Sequence, residues 1–491
     1  MSSTGLWMLA VLAVAIVATR LPVWALLTGV ASAFASLGLA RGVFDTGILA
    51  AVVPRVLNLL EHDLLQAMPL YVFVGVLLQR LPVADALFAA AVRLARPLGA
   101  ATPLGALAVG TLIAPMNGSV ASSSALLARL VAPRLRGLEP ARAVTLVSIA
   151  ATIGVVVPPS LVLILLGDAM LRAHTEASNL PGFVLGTQRI INTQDVLHAA
   201  LLPAAAVLLL WAIIVRIQDR GVVAQDAAVP LKRRDAVMAA ITAGVIVVLL
   251  GGVFTGKLFA VEAAATGGCL LVVATLATRA LTVQQWQVVL LDTLALSGAL
   301  FALLVGATTF SLVFRVFGTD RWLVDQMLAS PWPPTVTAAL VLLLVALCAW
   351  VLDAFEMIFV IIPIVAPLLV VELGDAQQAA VLLLLVLQLS FLLPPMGYAV
   401  LMARSRSGLP RVRIAALLRA LAPFLLAQLC VACAVFAWPR AAHLLDEPAV
   451  AATPGAPKPS DEDIVRQMED MARQAPNDAA EDAKPPASAT R

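Results

Sequence analysis

One stretch of this sequence occurs twice, and the repetition limits what the chain can fold into. The first copy runs from Pro103 to Asp168. An apolar segment reaches the polar tip Met116-Asn117-Gly118-Ser119, and a second returns through Ser122-Ser123-Ser124 to Arg134. A longer apolar segment is then interrupted at Pro158-Pro159. The second copy runs from about Pro334 to Arg404, with its tip at Asp353-Ala354-Phe355-Glu356 and its interruption at Pro394-Pro395. Tip and interruption are about 40 residues apart in both copies. Proline has no backbone donor and its ring clashes with the preceding turn, so a helix opens there. Opened backbone at membrane depth is tolerated only where protein or a water-filled cavity receives it. Interrupted helices at matching places in two halves are the sequence sign of a solute and ion site in a secondary transporter.

Composition places these segments in a membrane. Of 491 residues, 61% are hydrophobic and 12% charged, and mean hydropathy is +0.99. A soluble domain of this size is not built this way, so the expectation is a polytopic helical membrane protein contacting lipid. The net charge of +3 says little by itself, and no nucleic-acid partner is expected. There is no Walker loop, HExxH or GxSxG, so neither nucleotide hydrolysis nor a familiar hydrolase centre is encoded. No paired nucleophile and base is visible either, so an enzyme is not expected. The four histidines are scattered. Cys430 and Cys433 have redox or zinc spacing but lie, like Cys269 and Cys348, in an apolar stretch, and read as buried structural residues. No cofactor is expected.

In chain order, residues 1–63 read as N-terminal scaffold helices: two apolar spans, Leu6 to Thr19 and Leu21 to Leu39, then an amphipathic segment. Residues 64–215 form the first repeat, with a span from Leu64 to Gln79, an amphipathic surface helix at 82–97, the hairpin 103–133, the interrupted segment Val144 to Leu171, and a further span. The hairpin arms are about 13 residues each where a crossing needs about 20, which suggests a re-entrant hairpin. Residues 216–283 are a basic linker and central scaffold helices. Residues 284–438 form the second repeat, with a lead-in and span to Phe314 and the hairpin 334–373. Residues 439–491, rich in Ala, Pro, Asp and Glu, read as a disordered tail.

Arginine and lysine favour the cytoplasmic side of short loops. With ten spans, and each hairpin returning to its own side, the clusters at Arg93/Arg96, Arg134/Arg136/Arg142, Arg216–Arg234, Arg279 and Arg404–Arg413 all fall on one face. The two hairpins then enter from opposite faces, as an inverted repeat requires.

An ion needs several oxygen ligands, which opened helices and small polar side chains supply, and half-helix N-termini suit a carboxylate. The ion-binding candidates are Asn117, Gly118, Ser119, Ser122, Gly154, Pro158, Asp353, Ser390, Pro394 and Gly397, with Thr152, Thr308 and Thr309 as further oxygen donors. Ser123, Ser160 and Glu356 are candidates for the solute. Carboxylates within the membrane are costly and mark function, although Asp353 at a hairpin tip also suits a helix cap.

At these motifs the chain resembles the large membrane subunit of tripartite ATP-independent periplasmic (TRAP) transporters, and within them the mannitol/chloroaromatic-like subgroup. The matching stretches are Met68-Pro69-Leu70-Tyr71-Val72-Phe73-Val74-Gly75, the first hairpin, Ile153 to Asp168, Glu262 to Gly267, Leu352 to Pro367 and Ser390 to Gly397. The resemblance implies an elevator-type, sodium-driven importer of small organic acids in the bacterial inner membrane, with Na+ as coupling ion. It implies two partners, a periplasmic binding protein and a small four-helix membrane subunit. It also maps sodium sites onto Asn117–Ser119, Gly154–Pro158, Asp353 and Leu393–Gly397. Two departures stand out: Leu393 replaces a threonine common in the family, and Phe259-Ala260-Val261 replaces Thr-Pro-Thr before Glu262. A non-transporting structural protein on the same scaffold is the alternative.

Overall fold

The structure is a computed structural model. It describes residues 4–445 apart from 20, 44, 46, 48–49, 62, 118–119, 136, 159, 181–182, 184–190, 221–232, 329–330, 351, 395–396, 407 and 409–411. Of the tail expected to be disordered, residues 439–445 are described and ordered, with Pro439–Ala442 a short 3-10 helix. Residues 446–491 lie outside the described residues, as do the tip residues Gly118 and Ser119, Pro159 and Pro395, and the side chains of Asn117 and Ser122.

The described residues are helical and contain no strand. The first part of the chain forms α1 (Thr4–Ala18), α2 (Val23–Ala40), the short amphipathic α3 (Val52–Leu60), α4 (Asp63–Arg80) and α5 (Val83–Ala95). α5 turns away from α4 by 73°. The first hairpin is α6 (Ala101–Asn117) and α7 (Val120–Val131), followed by the interrupted pair α8 (Pro140–Val156) and α9 (Leu161–Ala177) and by α10 (Thr193–Gln218). After the linker come α11 (Arg233–Phe254), α12 (Ala260–Thr278), α13 (Val283–Val316) and α14 (Thr319–Leu328). The second hairpin is α15 (Pro334–Ala349) and α16 (Ala354–Leu373), followed by the interrupted pair α17 (Ala376–Phe391) and α18 (Tyr398–Arg406) and by α19 (Ile414–Ala437).

Among the described residues seven helices are long and apolar enough to cross a bilayer, and two bent pairs raise this to nine. Ten spans are read from the sequence. The difference lies in short apolar helices such as α1 and α17, of 15 and 16 residues, which fall below the length of a full crossing. Other expectations shift at their edges. α6 has 17 residues, because Pro115 sits inside the helix without ending it. α9 continues to Ala177, past the expected boundary at Leu171. The lead-in and span before Phe314 are one 34-residue helix. Cys269, Cys430 and Cys433 are exposed on their helices rather than buried, and all three are free thiols. Their apolar neighbourhood is the membrane-facing surface, which composition alone does not separate from the core.

Ion pairs show which helix ends lie together. Arg142 at the start of α8 meets Asp219 just past α10 at 2.7 Å. Arg134, after α7, meets Asp85 of α5 at 3.4 Å and stacks over Phe88. The open side of the first hairpin, the start of α8 and the end of α10 therefore share one end of the molecule. At the other end Asp375, between α16 and α17, meets His443 just past α19 at 2.6 Å, and Gln378 of α17 donates to the Val435 and Phe436 carbonyls at 3.0 Å each. α10 and α19 run antiparallel beside each other, joined where the Trp211 indole donates to the Phe424 carbonyl. The hairpins thus enter from opposite ends. Each packs on the first arm of its own half's interrupted pair and on the second arm of the other: α6 and α7 on α8, α7 on α18, α15 and α16 on α17, and α16 on α9.

Candidate functional site

At the first interruption, α8 ends at Val156 and α9 restarts at Leu161, turned by 41°. Ser160 bridges the gap. Its hydroxyl accepts from the Leu163 amide at 3.1 Å and donates to the Val155 carbonyl at 3.3 Å. It thereby caps α9 and satisfies a carbonyl that the proline pair leaves without its helical donor. Gly154 brings α8 against the hairpin: a Cβ there would stand 2.4 Å from the Ala114 backbone carbon. A cavity of about 10 Å³ remains between them, lined by Ala114, Pro115, Val120, Ser123, Gly154, Val155 and Ser160 among others. That is room for about one water molecule or a bare ion, and not for a solute. The structure thus brings Ser123, Gly154 and Ser160 together, at the scale of an ion. Pro158 makes the opening but is not among the lining residues. The hydroxyl of nearby Ser124 is buried without a hydrogen-bond partner among the described residues.

At the second interruption, α17 ends at Phe391 and α18 begins at Tyr398. The Leu393 carbonyl accepts from the Gly397 amide at 2.9 Å and from the Trp350 indole at 2.7 Å. Trp350 follows α15, so the second hairpin also rests its tip on its own half's break. Gly397 allows the backbone to fold over itself, since a Cβ there would lie 2.7 Å from the Leu393 carbonyl oxygen. Pro394 is buried in this turn. Ser390 donates to Val386 within its own helix at 2.8 Å.

Asp353 stands at the N-cap position of α16, and its amide donates to the Glu356 carboxylate at 3.0 Å. Glu262 does the same for the Phe259 amide of α12 at 2.9 Å, so both glutamates help to start a helix. Asp353 Oδ1 is buried with no hydrogen-bond partner among the described residues. Such an orphan is costly unless something outside the protein compensates it.

Two glutamines absent from the sequence expectations, Gln388 and Gln428, join the two interrupted pairs through the Thr152 carbonyl. Gln388 of α17 donates to the Thr152 carbonyl of α8 at 3.3 Å, and Gln428 of α19 donates to Gln388 Oε1 at 2.8 Å and to the Leu385 carbonyl at 2.9 Å. Thr152 spends its hydroxyl on Ile149. The signal was available, because glutamine is rare in apolar membrane helices and asks for a partner there.

A second, larger cavity of about 720 Å³ lies between α9, α13, the start of α16 and α3. Its wall includes Arg55, Asp168, Arg172, Glu176, Thr308, Arg315 and Phe359. α16 passes it through a π-helical stretch, Met357–Ile361, just before Pro363. Pro363 cannot donate to the turn before it, and the widened helix absorbs the missing bond.

The residues from 9 to 441 match the family model of the DctM component of tripartite ATP-independent periplasmic transporters. The chain belongs to this family. As a DctM-family permease with several apolar helices, it is a multi-pass protein of the bacterial inner membrane, and the family is one of transport permeases rather than enzymes. A curated relative, the sialic acid TRAP transporter large permease protein SiaM of Vibrio cholerae, is 25% identical over 202 residues. That match covers 41% of this chain and spans about half, 47%, of the relative. In fold, the DctM-family chain is similar to the crystal structure of the Alcanivorax borkumensis YdaH transporter, described as having an unusual topology. The TM-score is 0.54 at 17% identity, over 82% of this chain and 88% of the other. In this DctM-family chain Thr309 is bonded to the Val305 carbonyl of its own helix, while Thr308 faces the larger cavity.

Proposed function

We propose that this chain is the membrane subunit of a sodium-driven importer of a small organic acid. The solute is delivered by a periplasmic binding protein, and a small four-helix membrane subunit completes the system. The mannitol/chloroaromatic-like subgroup is kept within this proposal. The family supplies the transport role. The observation that carries the ion coupling is the pair of ion-scaled features at the two hairpin tips: the cavity shared by Ser123, Gly154 and Ser160, and the unpartnered Oδ1 of Asp353. A cation at the first tip would receive oxygen ligands from the serine hydroxyls, and one at the second would neutralise the buried Asp353 carboxylate. The organic-acid class is supported by the arginines around the larger cavity and by the relative's named solute, sialic acid, itself a carboxylic acid. An elevator motion would carry the hairpins and interrupted helices as one body past the remaining helices.

The test is solute uptake by the three-part system in liposomes under a sodium gradient. Uptake is expected only with the gradient and both partners present. Asp353→Asn keeps the shape of the cap, since Asn and Asp cap about equally well, but removes the charge. Its half-saturating sodium concentration should rise at least about fivefold, on the order of 1 kcal/mol. Uptake without sodium, or an unchanged sodium dependence in Asp353→Asn, would return the residue to a capping role. No uptake in any condition would favour the structural alternative.

A further inference from the structure

The wall of the larger cavity carries an unequal count of charges. Its described residues include three guanidinium groups, Arg55, Arg172 and Arg315, and two carboxylates, Asp168 and Glu176. Two of the three cations are spent. Arg172 pairs with Asp168 one turn away on α9 at 3.1 Å. Arg315, near the end of α13, pairs with Glu176 of α9 and so joins two walls of the cavity. Arg55 lies on α3, exposed at the margin of the cavity, and no carboxylate pairs with it among the described residues. The cavity therefore presents one unspent positive charge. Most of the remaining wall is apolar, including Leu165, Leu304, Ile358 and Phe359, and Thr308 also lines it.

We propose that Arg55 is the charge-selecting residue of this cavity, setting it to take a singly charged organic anion with an apolar body. This rests on the reading of the chain as an organic-acid importer and adds the charge number and the residue that fixes it. A neutral solute would leave Arg55 uncompensated. A dianion would have to draw a second arginine out of its ion pair and leave that pair's carboxylate without its partner. An anion with one carboxylate meets Arg55, leaves both pairs intact, and lays its apolar part on Phe359 and the leucines. Recognition of this kind rejects by leaving charges unpaired, which discriminates more strongly than added contact area does.

The experiment needs neither the natural solute nor turnover. In the full chain, in nanodiscs, the four native cysteines are replaced by alanine and Ser311, on the cavity wall, is changed to cysteine as a reporter. Its labelling rate is measured with sulfonatoethyl methanethiosulfonate, an anion, and trimethylammonioethyl methanethiosulfonate, a cation. Arg55→Gln is expected to lower the anion-to-cation rate ratio at least about fivefold at low salt and by less at physiological salt, as screening requires. Arg55→Lys, which keeps the charge, should stay within twofold of the parent. Mandelate, a monoanion, should protect the reporter better than neutral mandelamide or dianionic phenylmalonate, and Arg55→Gln should remove that advantage. A rate ratio unmoved by Arg55→Gln, or protection by mandelamide or phenylmalonate equal to that by mandelate, would overturn the proposal. Labelling involves no partner and no gradient. A failed uptake assay with an intact charge preference therefore sinks the importer reading alone, and intact uptake with an unmoved ratio sinks only the role of Arg55.

Discussion

The two interrupted helices meet the same difficulty in different ways. A proline pair frees backbone carbonyls in the middle of each, and each lies against the tip of its own hairpin. At the first break the Ser160 hydroxyl takes one carbonyl, and a gap of about one water's volume is left beside Ser123 and Gly154. At the second, the Trp350 indole and the Gly397 amide both donate to the Leu393 carbonyl. A carbonyl oxygen has two lone pairs, and both are used. One break is held open by a small hydroxyl, the other is closed by a large side chain reaching over from its hairpin. Helix interruption alone therefore does not leave an ion-sized gap; what fills the opened turn decides.

The largest effect that tests this contrast should come from Gly154→Ala. The new methyl group would meet the Ala114 backbone, which cannot swing aside as a side chain can. A loss of about 2–3 kcal/mol in stability is expected, with uptake reduced at least about tenfold. Gly397→Ala should destabilise similarly, because its clash is with its own turn, yet leave the half-saturating sodium concentration of the surviving protein unchanged. Gly298→Ala, with open space around it, is the neutral control. Thermal unfolding in nanodiscs and sodium titration of uptake read both quantities. Equal sodium defects in the Gly154 and Gly397 variants would erase the distinction between the breaks.

A smaller pair sharpens it. Ser160→Ala removes the cap of α9 and the bond to Val155, and Trp350→Phe keeps the ring but removes the donor to Leu393. Each should cost about 1 kcal/mol. The Ser160 variant should also weaken sodium dependence, since it changes the wall of the small cavity, whereas the Trp350 variant should not.

The smallest effect lies at the end that anchors the first half. Burial raises the pKa of Asp219 above its ordinary value, and the Arg142 guanidinium only partly opposes this. A raised carboxylate pKa means that stabilisation by this group is full below the unfolded value, near 4, and is lost as pH rises through the folded one. Melting temperatures of the parent and Asp219→Asn should therefore differ with pH, the parent gaining relative to the variant as pH falls toward 4. A constant difference across that range would show that Asp219 titrates as it does in water.

Much of this architecture was legible in the sequence, and for definable reasons. Pro158 and Pro394 announce the breaks because proline cannot complete a helix, and the short apolar arms announce hairpins because length limits what crosses a bilayer. The residues grouped at the first break were readable as a set, since Ser123, Gly154 and Ser160 flank its tip and its interruption. Their division between ion and solute was not, because it depends on a cavity volume that three segments define jointly. Trp350 escaped notice because an indole near a hairpin tip reads as membrane anchoring, and only the fold shows its N–H aimed at Leu393. The charges of the larger cavity come from α3, α9 and α13, far apart in the chain. Asp168, which in the sequence only marks the end of the first repeated stretch, becomes meaningful beside Arg172 and the facing wall.

The length of α13 has a consequence for the surroundings of the protein. Its 34 residues extend about 51 Å, against a hydrocarbon layer of about 30 Å. Glutamines crowd its first turns, and Asp292 is tied to Arg80 at 2.7 Å, whereas the stretch from Thr293 to Phe314 is apolar and by itself spans about 33 Å. The helix therefore crosses with its later turns and leaves its first turns among lipid headgroups. Bilayer thickness then becomes a mechanical variable for this protein. A thicker membrane draws the glutamine-bearing turns toward hydrocarbon and a thinner one leaves apolar turns in water, so lipid chain length bears directly on the helix that forms one wall of the larger cavity.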